Sequence, residues 1–139
     1  MEYIVGISLA LLFCAAAAGL GMDRERVFYP AVLIAVASYY LAFAVVDGRS
    51  EVMLSEVAIA AVFIAAAVAG FKRNPWIAVA ALAGHGVMDV FHHHLVHNTG
   101  VPQVWPGFCM TFDVTAAAFV ALVMLARARG EREQQSLSL

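Results

Sequence analysis

Charge is what this sequence most lacks. Charged side chains make up 13% of its 139 residues, about half the roughly 25% of a soluble domain. Hydrophobic residues make up 63%, and the mean hydropathy is +0.85. That balance, carried in long uncharged runs, excludes an ordinary soluble domain and points to an integral membrane protein whose first partner is the lipid bilayer. A net charge of -2 leaves no basic footprint, so nucleic acid is not an expected partner. Cysteine is almost absent. Cys14 and Cys109 lie in apolar segments, form no CxxC pattern and give no ground for a disulfide, so they read as buried inert thiols. Histidine is absent everywhere except between His85 and His97, where all five occur.

The apolar residues fall into five stretches: Tyr3 to Gly21, Val27 to Val46, Met53 to Phe71, Trp76 to Val96 and Phe108 to Ala126. Each approaches the roughly 20 residues that a helix needs to cross a bilayer core. The connections MDRER, DGRSE, KRNP and HNTGVPQVWPG are short, which makes sequential helices antiparallel neighbours. The expected fold is therefore an all-α bundle of five transmembrane helices in one domain, 1–129, followed by a polar tail, 130–139, expected to be disordered. The first stretch starts Met1-Glu2-Tyr3. It lacks the positive n-region of a signal peptide and reads as a retained helix.

Positive charge is missing from one side of this bundle. Arg24, Arg26, Lys72, Arg73, Arg127, Arg129 and Arg132 share the other side, and only Arg49 breaks the segregation. The positive-inside rule then predicts an inner-membrane protein with its N-terminus outside, its C-terminus inside and the histidine-rich helix end facing out. Small residues such as Ala66 and Gly70, at small-xxx-small spacing, fit close packing within the bundle. A homo-oligomer interface is the alternative.

Ionisable groups inside a membrane are expensive and mark functional sites. On the fourth helix, at 3.6 residues per turn, His85, Asp89, His92 and His93 fall within about a third of the circumference. The i, i+4 spacings of 85, 89 and 93 predict one stripe, while His94 points away and His97 sits at the helix end. At 1.5 Å per residue His85 lies about 13 Å from the inner end, with Asp89 about 6 Å further out. Asp113, on the fifth helix, is expected near the depth of Asp89, flanked by Thr111 and Thr115. Tyr39, Tyr40 and Glu56 reach a similar layer. Imidazole and carboxylate together suit a transition metal, Zn, Fe or Cu, so His85, Asp89, His92, His93 and Asp113 are the expected ligands. Asp89 or Glu56 is the expected general base of a metalloenzyme acting on an apolar or lipidic small molecule. Three other readings stay open: a hydrogen-bonded structural cluster, a metal or proton conduit, and a haem or pigment subunit with His85 or His93 as axial ligand. The loop TGVPQVWPGF is either a lid over the polar layer or an interfacial turn anchored by Trp105.

The run GHGVMDVFHHHLVHNTGVPQVWPGFCMTFDV resembles an uncharacterised family of small bacterial multi-span membrane proteins. The shared marks are Gly84, His85, Asp89, Gly100-Val101-Pro102, Trp105-Pro106 and Asp113. The resemblance covers about the last half of the chain and implies a shared site without naming an activity. In its chemistry alone, the His/Asp set is similar to that of the membrane zinc hydrolases of the alkaline ceramidase group, which have seven helices in a different order.

Overall fold

The computed structural model describes residues 1–137. The chain runs through α1 (Glu2–Gly19), a short 3-10 turn (Met22–Arg24), α2 (Phe28–Asp47), α3 (Ser50–Lys72), α4 (Pro75–Leu95) and α5 (Trp105–Leu137), with no strand among these residues. Helix boundaries follow local chemistry. Gly48, at φ 80°, takes the left-handed conformation that ends α2. Asn74 caps α4 by accepting the Trp76 N–H at 3.0 Å, and Pro75 fills the first helical position, where a missing N–H costs nothing. Trp105-Pro106 starts α5 three residues before the expected Phe108 for the same reason.

Two expectations change. Four helices, α1, α2, α3 and α5, are long and apolar enough to cross a membrane. The 21-residue α4 is long enough, but Asp89 and its histidines lower its hydropathy below that of the others. The tail is also different. Disorder was expected from Gly130 onward, whereas α5 continues as an exposed helix through Leu137; residues 138–139 lie outside the described residues. Arg127–Glu131 and Arg129–Glu133 stand at i, i+4, a spacing that supports a solvated helix.

α4 lies at the centre of the bundle. It packs most extensively on α5, then on α3 and α2, while α1 lies against α5 and α2 against α3. Glycine sets the closest approaches. A Cβ on Gly70 would fall 2.7 Å from that of Ala78, and one on Gly86 would fall 3.0 Å from the Met110 carbonyl and 3.1 Å from Asp113 Cβ. The Ala66–Gly70 stripe is thus spent, at Gly70, on packing α3 against α4 within one chain. Gly86 lets α5 come near enough for Asp113 to reach His85.

The interior has two layers. Toward the arginine-rich end it is apolar, built from residues such as Ala10, Cys14, Leu33, Leu82, Ala116 and Val120. Toward the histidine end it holds the buried side chains of Tyr40, Glu56, His85, Asp89, His92 and Asp113. The outer faces carry exposed Ile4, Leu12, Leu54, Val62, Val87 and Leu122, a surface suited to hydrocarbon rather than water.

Candidate metal centre

His85 and Asp89 stand one turn apart on α4, and Asp113 enters from α5. Each is fully buried, and one potential ligand atom from each lies within 4.8 Å of the other two. His85 Nδ1 is 2.7 Å from Asp113 Oδ2, to which it donates, and 3.6 Å from Asp89 Oδ2. The Tyr40 hydroxyl donates to Asp89 Oδ1 at 2.7 Å. Phe63 closes the far side with its ring edge-on to the imidazole, centroids 4.7 Å apart.

The polar accounting within this group does not close. His85 Nε2, Asp89 Oδ2 and Asp113 Oδ1 are buried and have no hydrogen-bond partner. Such orphans cost about 1–3 kcal/mol each, more when charged. Two carboxylates facing one imidazole also leave an excess of negative charge in a dry interior, where taking each ion out of water costs several kcal/mol. A divalent cation between the carboxylates answers the excess of charge and gives Asp89 Oδ2 a partner, while His85 Nε2, on the opposite side of the ring, stays outside such a centre. With metal–ligand bonds of about 2.0–2.2 Å, tetrahedral donors lie about 3.4 Å apart, close to the 3.6 Å between Nδ1 and Asp89 Oδ2, while the 2.7 Å between Nδ1 and Asp113 Oδ2 is a hydrogen-bond distance that a metal would open. A cation replacing the Nδ1 proton would therefore meet one imidazole nitrogen and two carboxylates.

The expected ligand set divides. His92 belongs to a second pair, with Nε2 at 2.9 and 3.1 Å from the two oxygens of Glu56. Asn98 Nδ2 donates to the same carboxylate at 2.8 Å. Glu56 is thus buried and fully engaged. It is neither an exposed helix start nor adjacent to His85, which counts against its assignment as general base. The two pairs communicate through Tyr40, whose ring stacks on His92 at 3.9 Å while its hydroxyl holds Asp89.

His93 is not in the centre. It is exposed and lies beside the equally exposed His94, ring centroids 3.8 Å apart. The helical wheel explains the correction. At about 100° per residue, i+7 returns to within about 20° of His85, whereas i+8 overshoots by about 80°. The stripe is therefore 85, 89, 92, and alanine at His93 or His94 is expected to leave both metal content and melting temperature unchanged. A loss at either position comparable to that of His85→Ala, in protein that elutes normally on size exclusion, would refute the placement.

Three partners were not legible as site residues. Asn98 reads in sequence only as a helix end. Asp47 and Arg49 read only as part of a turn, yet they pin the 96–104 loop. Asp47 Oδ2 accepts from the Thr99 N–H and hydroxyl at 2.7 and 2.6 Å, and Arg49 bridges Asp47 to the His97 carbonyl at 2.5 Å. The only signal was the closely spaced acid and base at the one corner that breaks the charge segregation. Trp105 seats edge-on against Tyr39 and Phe43, both at 5.0 Å, which anchors the end of the loop on α2, while Asn98 at its start bonds to Glu56. Thr111 lies outside the centre because its hydroxyl bonds to the Gly107 and Phe108 carbonyls of its own helix.

Comparison with known proteins finds no matching family model, no matching curated protein and no matching solved structure. The fold and the buried group together define a helical, lipid-suited protein with a His/Asp cluster able to hold a metal ion.

Proposed function

We propose that this chain is a membrane-embedded metal-binding protein whose centre is His85, Asp89 and Asp113, acting as a small metalloenzyme on an apolar or lipidic substrate. The observation that carries the reading is the convergence of three buried ligand atoms, with three buried polar atoms left without partners around them. A bound transition metal would supply Lewis acidity and orientation. The protein's own part is to hold the two carboxylates against His85, to fix Asp89 through Tyr40 and to exclude bulk water.

Access is from the histidine end. A pocket of about 260 Å³ there is lined by His92, His93, His97, Asn98 and the 101–103 loop. His92 and Asn98, which line it, bond to Glu56 beneath, and Tyr40 stacks on His92 and holds Asp89. The interior between this layer and Asp23 at the opposite end is apolar, which favours a site open to one side over a through-going conduit. An apolar groove of about 360 Å³, lined by residues including Phe13, Tyr39, Phe108 and Cys109, runs within one helical turn of Asp113, because Cys109 and Asp113 are i, i+4 on α5. That groove gives a lipidic substrate a route from the bilayer. In the test, protein purified without added metal is analysed for Zn, Fe and Cu. Near-stoichiometric content is expected. A stable, metal-free preparation whose melting temperature ignores added Zn²⁺, Fe²⁺ and Cu²⁺ would overturn the reading.

The topology belongs to the same proposal. α4 crosses as a fifth span because its polar side chains His85, Asp89 and His92 are turned inward, leaving Val87, Val90 and Phe91 outside. The arginine-rich end faces the cytoplasm. Single cysteines at Val101 and Arg73, in a background lacking Cys14 and Cys109, are expected to label from outside intact cells and only after lysis, respectively. The reverse pattern would invert the orientation.

A further inference from the structure

A third cavity, of about 200 Å³, opens at the arginine-rich end, across the bundle from the His/Asp centre. Its wall is apolar, formed by Val79, Val120 and Met124, and its rim is charged. Asp23 sits there with a side chain 1% exposed. Its Oδ2 accepts from Arg127 at 2.6 Å, while Oδ1 is buried without any partner. Two guanidinium groups of the lining are not spent on carboxylates. The Arg24 side chain makes no hydrogen bond among the described residues, and the Arg26 guanidinium donates only to the Arg73 carbonyl, at 3.0 Å. The cavity thus sets a lining carboxylate with one buried, partnerless oxygen beside two exposed guanidinium groups, over an apolar wall.

Its depth indicates what could fill it. Asp23 lies in the turn between α1, ending at Gly19, and α2, starting at Phe28. In a bilayer that is headgroup level. A plain anionic lipid would suit the arginines but not Asp23 Oδ1, and the exposed Glu25 on the rim adds a second negative charge. A ligand with a phosphate and an N–H-bearing ammonium answers both signs. We propose that this cavity binds the headgroup of an aminophospholipid of the ethanolamine type, its ammonium donating to Asp23 Oδ1 and its phosphate facing Arg24 and Arg26. The glyceride would lie along Val79, Val120 and Met124. Nothing here depends on the metal centre.

The test titrates short-chain phosphatidylethanolamine, its mono- and dimethylated forms, phosphatidylcholine and phosphatidylglycerol into the full chain in neutral detergent, with native mass spectrometry as the readout. Methylation removes N–H donors without touching the protein. Binding is expected to weaken along the series, by about tenfold between phosphatidylethanolamine and phosphatidylcholine, the equivalent of one charge-assisted hydrogen bond. Asp23→Asn is expected to abolish the difference. Arg24→Gln and Arg26→Gln should weaken all the phospholipids alike. Equal binding along the methylation series, or tighter binding of phosphatidylglycerol, would overturn the proposal. So would soluble phosphoethanolamine competing at equal concentration, because the apolar wall would then contribute nothing. Should Asp23→Asn fail to fold, the methylation series on the unaltered protein decides the question alone.

Discussion

Alanine at Asp113 is expected to empty the metal centre and to lower stability by about 3–5 kcal/mol, the usual cost of stranding one member of a buried ionic pair. His85 Nδ1 would lose its 2.7 Å acceptor and Asp89 its companion ligand. Asp113→Asn keeps the shape and isolates the charge; a lost ligand is expected to cost at least the 10- to 100-fold in metal affinity typical of a disturbed outer partner. Elemental analysis and thermal melts of Asp113→Asn, Asp113→Ala and His85→Ala would measure both effects. The double variant His85→Leu/Asp113→Leu separates a metal centre from a structural cluster. Removing both partners of a buried pair is often neutral or stabilising, so the double variant is expected to fold and to hold no metal. Wild-type metal content in folded Asp113→Asn and His85→Ala would rule the centre out.

Glu56→Ala is expected to be the most damaging single change outside the centre, at about 3 kcal/mol or more. Its carboxylate accepts from both His92 and Asn98, so its loss leaves the buried His92 and the half-buried Asn98 without their acceptor and frees the loop above them. Glu56→Gln retains one acceptor and should cost less. Melting temperatures of the two variants, with protease sensitivity of the 96–104 loop, provide the measurement. Equal stability of Glu56→Ala and the unaltered protein would mean that water replaces the carboxylate and that the layer is wet.

The helices were legible because apolar runs of bilayer length and short charged connections leave few other arrangements. The triad was legible in part. Helix periodicity put His85 and Asp89 on one face, and depth alone brought Asp113 to it. Placing His93 on the stripe beside His92 came from following i, i+4 steps, which drift round the helix, when the i+7 repeat tracks the face more closely. Asn98, Asp47 and Arg49 could not be read, since a loop residue's partners are decided by which corner lies beneath it. Tyr39 and Tyr40 are equivalent in composition, and only the packing of α2 turns Tyr40 inward and leaves Tyr39 half exposed on Trp105. The tail was misread because polarity was taken for disorder, although Glu, Arg and Gln are good helix formers.

With α4 as the proposed fifth span, its inward-facing polar stripe bears on biogenesis. During synthesis a segment is judged by the translocon before its neighbours are all in place, and a lone Asp near mid-helix weighs about 2.5–3.5 kcal/mol against insertion. α4 has its principal packing partner still to come, since α5 follows it in the chain. The two are therefore expected to enter as a hairpin, with the Asp113–His85 contact made on the way in. Substitutions at Gly86 or Asp113 would then act at the ribosome as much as in the finished bundle, leaving α4 stranded at the membrane surface and the product open to quality-control proteolysis.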